Sequence, residues 1–131
     1  MKLEHIAIYT TDLENLRAFY LHWFGGQCGA RYNNSVTGFT SYFLHFDSGA
    51  RLELMSRPDL VSHKNWGLAA GIAHIAFCVD NREDVDSFAE KLKAEAWPIV
   101  RGPRITGDGY YELEMDDPDG NRIEIIFSPF N

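Results

Sequence analysis

Only two of the 131 residues are cysteine, Cys28 and Cys78. That scarcity excludes a disulfide-rich scaffold and a Cys₄ zinc site, and the two cysteines, far apart in sequence, form no Cys₂His₂ structural zinc pattern. Both thiols are expected to be free in a reducing cytoplasm, because the chain opens on a strand pattern with no basic-then-apolar leader. No apolar run is long enough to cross a bilayer. Basic residues are also scarce, 12 Lys and Arg against 19 Asp and Glu, for a net charge of −7. Nucleic acid and anionic membrane surfaces are therefore not expected partners, since a basic stripe is their usual electrostatic footprint.

Apolar side chains are plentiful: 45% of residues are hydrophobic and 14% aromatic, enough to fill a core in one domain or in two small modules sharing one. The pattern favours modules, because the chain repeats itself. Leu-Glu-His-Ile-Ala-Ile-Tyr, from Leu3 to Tyr9, returns as Ile-Ala-His-Ile-Ala-Phe-Cys, from Ile72 to Cys78, with His5 and His74 in the same place. A helix follows each strand. Leu13, Leu16, Phe19, Tyr20, Trp23 and Phe24 recur at helical spacing before Gly25-Gly26, and Val85, Phe88, Ala89 and Leu92 form the matching stripe. Thr11 with Glu14, and Asp80 with Glu83, have the spacing of a capping box.

Three strands should complete the first module: a weak one near Gln27–Tyr32, then Thr40–Phe46 and Arg51–Met55, the last two joined by a tight Asp47-Ser48-Gly49 turn. Pro58 to Ala70 is polar and irregular and reads as a linker, with His63 and Trp66 as surface or lid residues. The second module ends as the first does. Gly-Ala-Arg-Leu-Glu-Leu at 49–54 matches Gly-Asn-Arg-Ile-Glu-Ile at 120–125, so Glu53 and Glu124 occupy equivalent strand positions.

Period-two geometry sends His5, Glu53, His74 and Glu124 to the sheet face opposite the helices, if the flanking aliphatics face the helices. Two imidazoles and two carboxylates suit a divalent first-row metal with positions left for water or substrate. The competing reading makes them ordinary solvent-facing residues of half-buried strands. Mid-strand Glu has poor β-propensity, and the same residue type recurs at both equivalent positions, which favours a shared task.

These residues, with the ending Asp117-Pro118-Asp119-Gly120-Asn121-x-Ile123-Glu124, resemble the vicinal oxygen chelate (glyoxalase, bleomycin resistance and dioxygenase) superfamily, and the glyoxalase I branch most of all. The resemblance spans the whole chain. It implies an α+β fold over residues 1–131, two βαβββ modules (about 1–57 and 71–131, linker 58–70) forming a cupped, mostly antiparallel sheet. It implies a divalent cofactor, Ni, Zn, Co, Mn or Fe, held by His5, Glu53, His74 and Glu124, and a homodimer as partner arrangement. It implies a lyase or isomerase that moves a proton through a metal-stabilised enediolate of a small substrate with vicinal oxygens, with Glu124 or Glu53 as base. The same fold also serves non-catalytic binding or antibiotic resistance proteins, and ring-cleaving dioxygenases, whose ligand set has two histidines and one glutamate.

The substrate positions depart from the branch. Where glyoxalase I members usually carry Arg and Asn for glutathione, four residues beyond the first His and the first Glu, this chain has Tyr9 and Arg57. A different small carbonyl or hydroxy compound is the implied substrate, anionic if Arg57 faces the cup, with Tyr9, Arg57 and Tyr111 as its candidate contacts. Arg101–Gly109 is glycine-rich but lacks the context of a phosphate loop and reads as a mobile rim. Cys78 shares the parity of His74, and a lone strand cysteine usually packs as a small core residue.

Overall fold

The computed structural model describes residues 1–47, 49–61 and 70–129. The chain divides into two compact units, Met1–Lys64 and Asn65–Asn131. In the first, β1 (His5–Tyr9) leads into α1 (Leu13–Phe24), followed by β2 (Gln27–Cys28), β3 (Tyr32–Asn33), β4 (Thr40–His45) and β5 (Arg51–Ser56). The second runs β6 (Ile75–Cys78), α2 (Arg82–Ala94), β7 (Ile99–Ile105), β8 (Tyr111–Asp116) and β9 (Arg122–Phe127). The second is a βαβββ module, the first has the same order with one strand more, and the fold is α+β. The expected weak strand at 27–32 is split into β2 and β3, both paired antiparallel with β4.

Both sheets are mixed in the same way. The first has order β1-β5-β4-β2, with β3 also on β4, and the second β6-β9-β8-β7. The first and last strands of each module run parallel, and the remaining pairings are antiparallel.

Alternation puts the aliphatics under the helices, where their burial drives each module's assembly. In the first unit, Ile8, Leu44, Leu52 and Leu54 are buried, as are Leu13, Leu16, Phe19, Tyr20 and Trp23 of α1. In the second, Leu113, Met115, Ile123 and Ile125 are buried, as are Val85, Ala89 and Leu92 of α2. His5, Ala7 and Tyr9 are exposed on the other side of β1.

Both helices start one residue later than the capping-box spacing implies. Asp12, not Thr11, caps α1, its carboxylate accepting the Asn15 N–H at 3.1 Å. Asn81, not Asp80, caps α2, accepting from the Asp84 N–H at 2.9 Å. Aspartate and asparagine hold the cap at least as well as threonine, so Glu14 is released from that task. It accepts instead from Arg17 and from the Tyr42 hydroxyl.

Arg101–Ile105 is a strand and not a rim loop, which corrects the reading drawn from its glycines. The segment pairs with β8 through two register shifts. Gly102 is what permits this: its φ is +89°, and a Cβ there would lie 2.5 Å from the Glu112 carbonyl oxygen. The Asp117–Asn121 motif is a self-stapled turn. Asp117 Oδ1 accepts the N–H groups of Asp119 and Asn121, and its Oδ2 accepts from the Asn121 side chain. This turn sets the β8–β9 register and with it the placement of Glu124. Ser48, His63 and Trp66 lie outside the described residues.

Candidate functional site

In the first unit the parallel register places Ala7 opposite Glu53 and His5 opposite Arg51. His5 and Glu53 are therefore diagonal neighbours on one face, and the small Ala7 side chain leaves room between them. His5 Nε2 lies 3.7 Å from Glu53 Oε2. The second unit repeats the device: Ala76 is opposite Glu124, and His74 Nε2 lies 3.2 Å from Glu124 Oε2. Exposure repeats too, 40% and 14% for the first His and Glu side chains, 43% and 16% for the second.

Two ligand atoms at right angles on one first-row ion, each about 2.1 Å from it, stand about 3.0 Å apart. The His74–Glu124 pair has nearly that separation and the His5–Glu53 pair a wider one, and both imidazoles are partly open to solvent. As a donor set, each pair fits two adjacent positions on a divalent ion.

His5 is anchored from behind. Its Nδ1 meets Glu4 Oε2, while Glu4 Oε1 accepts from Arg51 Nε at 2.6 Å. The Arg51 guanidinium stacks 4.0 Å from the Phe43 ring centroid, and Phe43 meets the His5 ring edge-on at 5.5 Å. Hydrogen bonding to His5 first, and then Arg51, holds the Glu4 carboxyl below its ordinary pKa. An ionised Glu4 holds the proton on Nδ1 and leaves Nε2 as the free donor atom. The residue equivalent to Glu4 is Ala73, so His74 has no such brace from its own preceding residue.

The surroundings of the two glutamates also differ. Phe43 stands directly across from Glu53, but Glu114 stands directly across from Glu124. Glu112, Glu114 and Glu124 bring carboxylate oxygens within 4.8 Å of one another. Like charges in register destabilise a sheet, and three arginines offset them. Arg104 Nη2 reaches Glu112 at 2.7 Å and Glu114 at 3.3 Å. Arg122 bridges Glu114 and Asp116, and Arg101 lies 3.6 Å from Glu114. Burial, more than any neighbour, raises the Glu124 pKa above the ordinary carboxylate value; His74 opposes the rise, while Glu112 and Glu114 add to it.

Sequence reasoning read Glu112 only as lining the entrance, with Tyr110 and Tyr111, and missed Glu114. Their signal was present in Tyr-Glu-Leu-Glu-Met-Asp, where glutamates alternate with the buried Leu113 and Met115 and so must share the face of Glu124.

Tyr9 is exposed on the face of His5. Arg57 is held by Asp59 through two bonds of 2.5 and 2.8 Å. Asp59 first, and then the Tyr9 phenol, raise its pKa, so Tyr9 and Arg57 are neighbours. Tyr111 is turned the other way: its hydroxyl donates to Asp86 of α2 at 2.7 Å, and Arg82 stacks on its ring. Cys78 is exposed and not a core residue, because it follows His74 and Ala76 on the uncovered side of β6.

A model of the Glyoxalase/Bleomycin resistance protein/Dioxygenase superfamily matches residues 2–125. YqjT of Bacillus subtilis (strain 168) is 26% identical over 127 residues, 95% of this chain and 97% of its own. Among solved structures, the trypanothione-dependent glyoxalase I of Leishmania major is similar with a TM-score of 0.77 and 24% identity, over 97% of this chain and 86% of its own. Lactoylglutathione lyase from Agrobacterium tumefaciens is similar with a TM-score of 0.71 and 23% identity, over 96% and 92% of the two chains. At such identities the two structures speak for the fold alone.

Proposed function

The chain belongs to the Glyoxalase/Bleomycin resistance protein/Dioxygenase superfamily, and from that premise we propose that it is a metal-dependent, glyoxalase-like lyase or isomerase. His5, Glu53, His74 and Glu124 would be the metal ligands, as His–Glu pairs, for a divalent ion, Ni, Zn, Co, Mn or Fe. The observation that carries this reading is the recurrence of the pair in both modules, at one register and one exposure. A solvated face gives no reason for such a repeat.

When bound, the ion would withdraw charge from adjacent oxygens of a small substrate and acidify the neighbouring C–H. Glu124 would take that proton and return it to the next carbon. Its raised pKa suits a group that must both accept and release a proton. The imidazoles of His5 and His74 would stay fixed, with Glu4 bracing His5. Tyr9 and Arg57 would contact the substrate in place of glutathione-binding residues, which favours a small carbonyl or hydroxy compound carrying negative charge. Tyr111, held by Asp86 on the helix side, has no role in this reading. Two copies of the chain would form the working homodimer.

The test strips the purified protein, reloads it with each metal and counts bound ions, with His74→Ala and Glu124→Gln as controls. Roughly one ion per chain, lost or weakened in His74→Ala, is expected. Turnover of hemithioacetals and other vicinal-oxygen compounds should fall about a hundredfold or more in Glu124→Gln. No binding of any metal would overturn the proposal and leave a small-molecule binding or resistance protein of the same fold.

A further inference from the structure

We infer that a cavity in the first module, separate from the His5–Glu53 pair, binds the phosphoryl group of a small metabolite. The cavity measures about 430 Å³ and is lined by Arg31, Arg57, Thr11, Thr40 and Ser56, with an apolar side formed by Pro58 and Leu60. Its lining charges are two guanidiniums, and no carboxylate is among the lining residues. Glu14 and Asp59 pair with these guanidiniums from outside the lining, so what faces the cavity is donor groups, and these favour an anion.

The site lies on the helix side of the sheet. Thr40 and Ser56 are register partners on β4 and β5. Ser56 follows the buried Leu52 and Leu54 at period two, whereas Glu53 points to the other face. Thr11 directly precedes the Asp12 cap of α1, so the positive end of that helix faces the same region.

Both guanidiniums are held before any ligand arrives. Arg31 Nη1 lies 3.5 Å from Glu14, and Arg57 is clamped by Asp59. Each retains N–H groups beyond those bonds, because a guanidinium carries five. Prior anchoring reduces the ordering cost of binding.

A second wall depends on Gly38. Its φ is +72°, and a Cβ there would stand 2.7 Å from Pro58 Cγ, so only glycine lets the 34–38 turn close against Pro58. The equivalent Gly107 has open space around it. The closure is thus a property of the first module and not of the repeat.

The donors select among anions. Two guanidiniums and three hydroxyls offer bonds in several directions, which a tetrahedral phosphoryl group can accept and a planar carboxylate cannot fill. The volume exceeds that of bare phosphate, leaving room for a small organic body along Pro58 and Leu60.

Calorimetric titration of the purified protein with inorganic phosphate, a sugar phosphate and citrate tests this. Saturable binding is expected for phosphate, tighter for the sugar phosphate and weakest for citrate. Arg57 has a share in the proposed substrate contacts, so the decisive variant is Arg31→Ala, at an exposed position whose loss leaves the core untouched. It should weaken phosphate at least about tenfold, with partial recovery in Arg31→Lys. Glu124→Gln should bind phosphate as the parent does, so this result stands or falls apart from metal binding. The proposal is overturned by no saturable phosphate binding, by unchanged affinity in Arg31→Ala, by equal loss in Glu124→Gln, or by citrate binding more tightly than phosphate.

Discussion

Replacing Glu4 by alanine should weaken metal binding while leaving the fold unchanged. Glu4 is not a metal donor in the proposed site; it acts through His5, whose Nδ1 it meets while its other oxygen accepts from Arg51. Removing the carboxylate frees the imidazole to rotate and to place its proton on either nitrogen. Losing such a partner typically costs about 10- to 100-fold in metal affinity. Both side chains are well exposed, Glu4 at 53% and His5 at 40%, so water can partly substitute and the lower end, about tenfold, is expected. Exposure also means that the Glu4 ion pairs contribute little to stability, so the thermal midpoint of the metal-free protein should stay where it is. Competition against a chromophoric chelator on reloaded protein measures the affinity. Glu4→Gln, which keeps an acceptor but not the charge, should fall between parent and alanine variant. Affinity unchanged within twofold in Glu4→Ala, with binding lost in His5→Ala, would refute the argument that the brace matters.

The remaining expectations concern pH and folding. The raised pKa of Glu124 means the folded state holds this proton more tightly than the unfolded chain does. Its contribution to stability is therefore full below the unfolded value of about 4.5 and is lost as pH rises through the folded value. In metal-free protein, thermal midpoints measured across that interval should fall less steeply in Glu124→Gln than in the parent, and parallel curves would contradict the assignment. For the helices, Asp12→Ala and Asn81→Ala should each cost about 1 kcal/mol in denaturant unfolding, and Thr11→Ala and Asp80→Ala clearly less. The reverse order would restore the caps expected from spacing.

Much of this arrangement was legible in the sequence, for a physical reason. A strand that buries one face must alternate, and a repeated alternation fixes the partner positions; that sufficed to put His5 with Glu53 and His74 with Glu124 on the uncovered faces. The misreadings arose where local chemistry offered two answers. Thr11 and Asp12 both can cap a helix, and the backbone chose the aspartate. The glycines of 101–109 suggested a loop, but Gly102 serves a close strand crossing and the pairing continues through it. Tyr111, one residue before Glu112, is turned to α2, where its hydroxyl donates to Asp86. Contacts such as Glu4 with Arg51 depend on side-chain reach between strands far apart in sequence, which no periodicity reports.

The repeated pairs sit in unlike surroundings, and that difference bears on which glutamate would carry the proton. Across from Glu53 stands Phe43, which with Arg51 and Glu4 forms a closed ring of contacts about His5. Each contact in that ring favours one fixed orientation of the imidazole. Across from Glu124 stands Glu114, within a set of carboxylates and arginines whose charges are balanced over several side chains. Arg104 and Arg122 pair with Glu112 and Glu114 there, so charges of both signs surround Glu124. The first pair is braced and the second is surrounded by charge, so Glu124 would be the group that exchanges a proton. If so, exchanging the two facing residues should move the behaviour with them. Glu114→Phe should lower proton-transfer turnover more than it lowers metal affinity, whereas Phe43→Leu, which removes the edge contact on His5, should lower metal affinity more than turnover at saturating metal. Equal losses in both quantities for Glu114→Phe would mean that its carboxylate serves only the packing of the sheet.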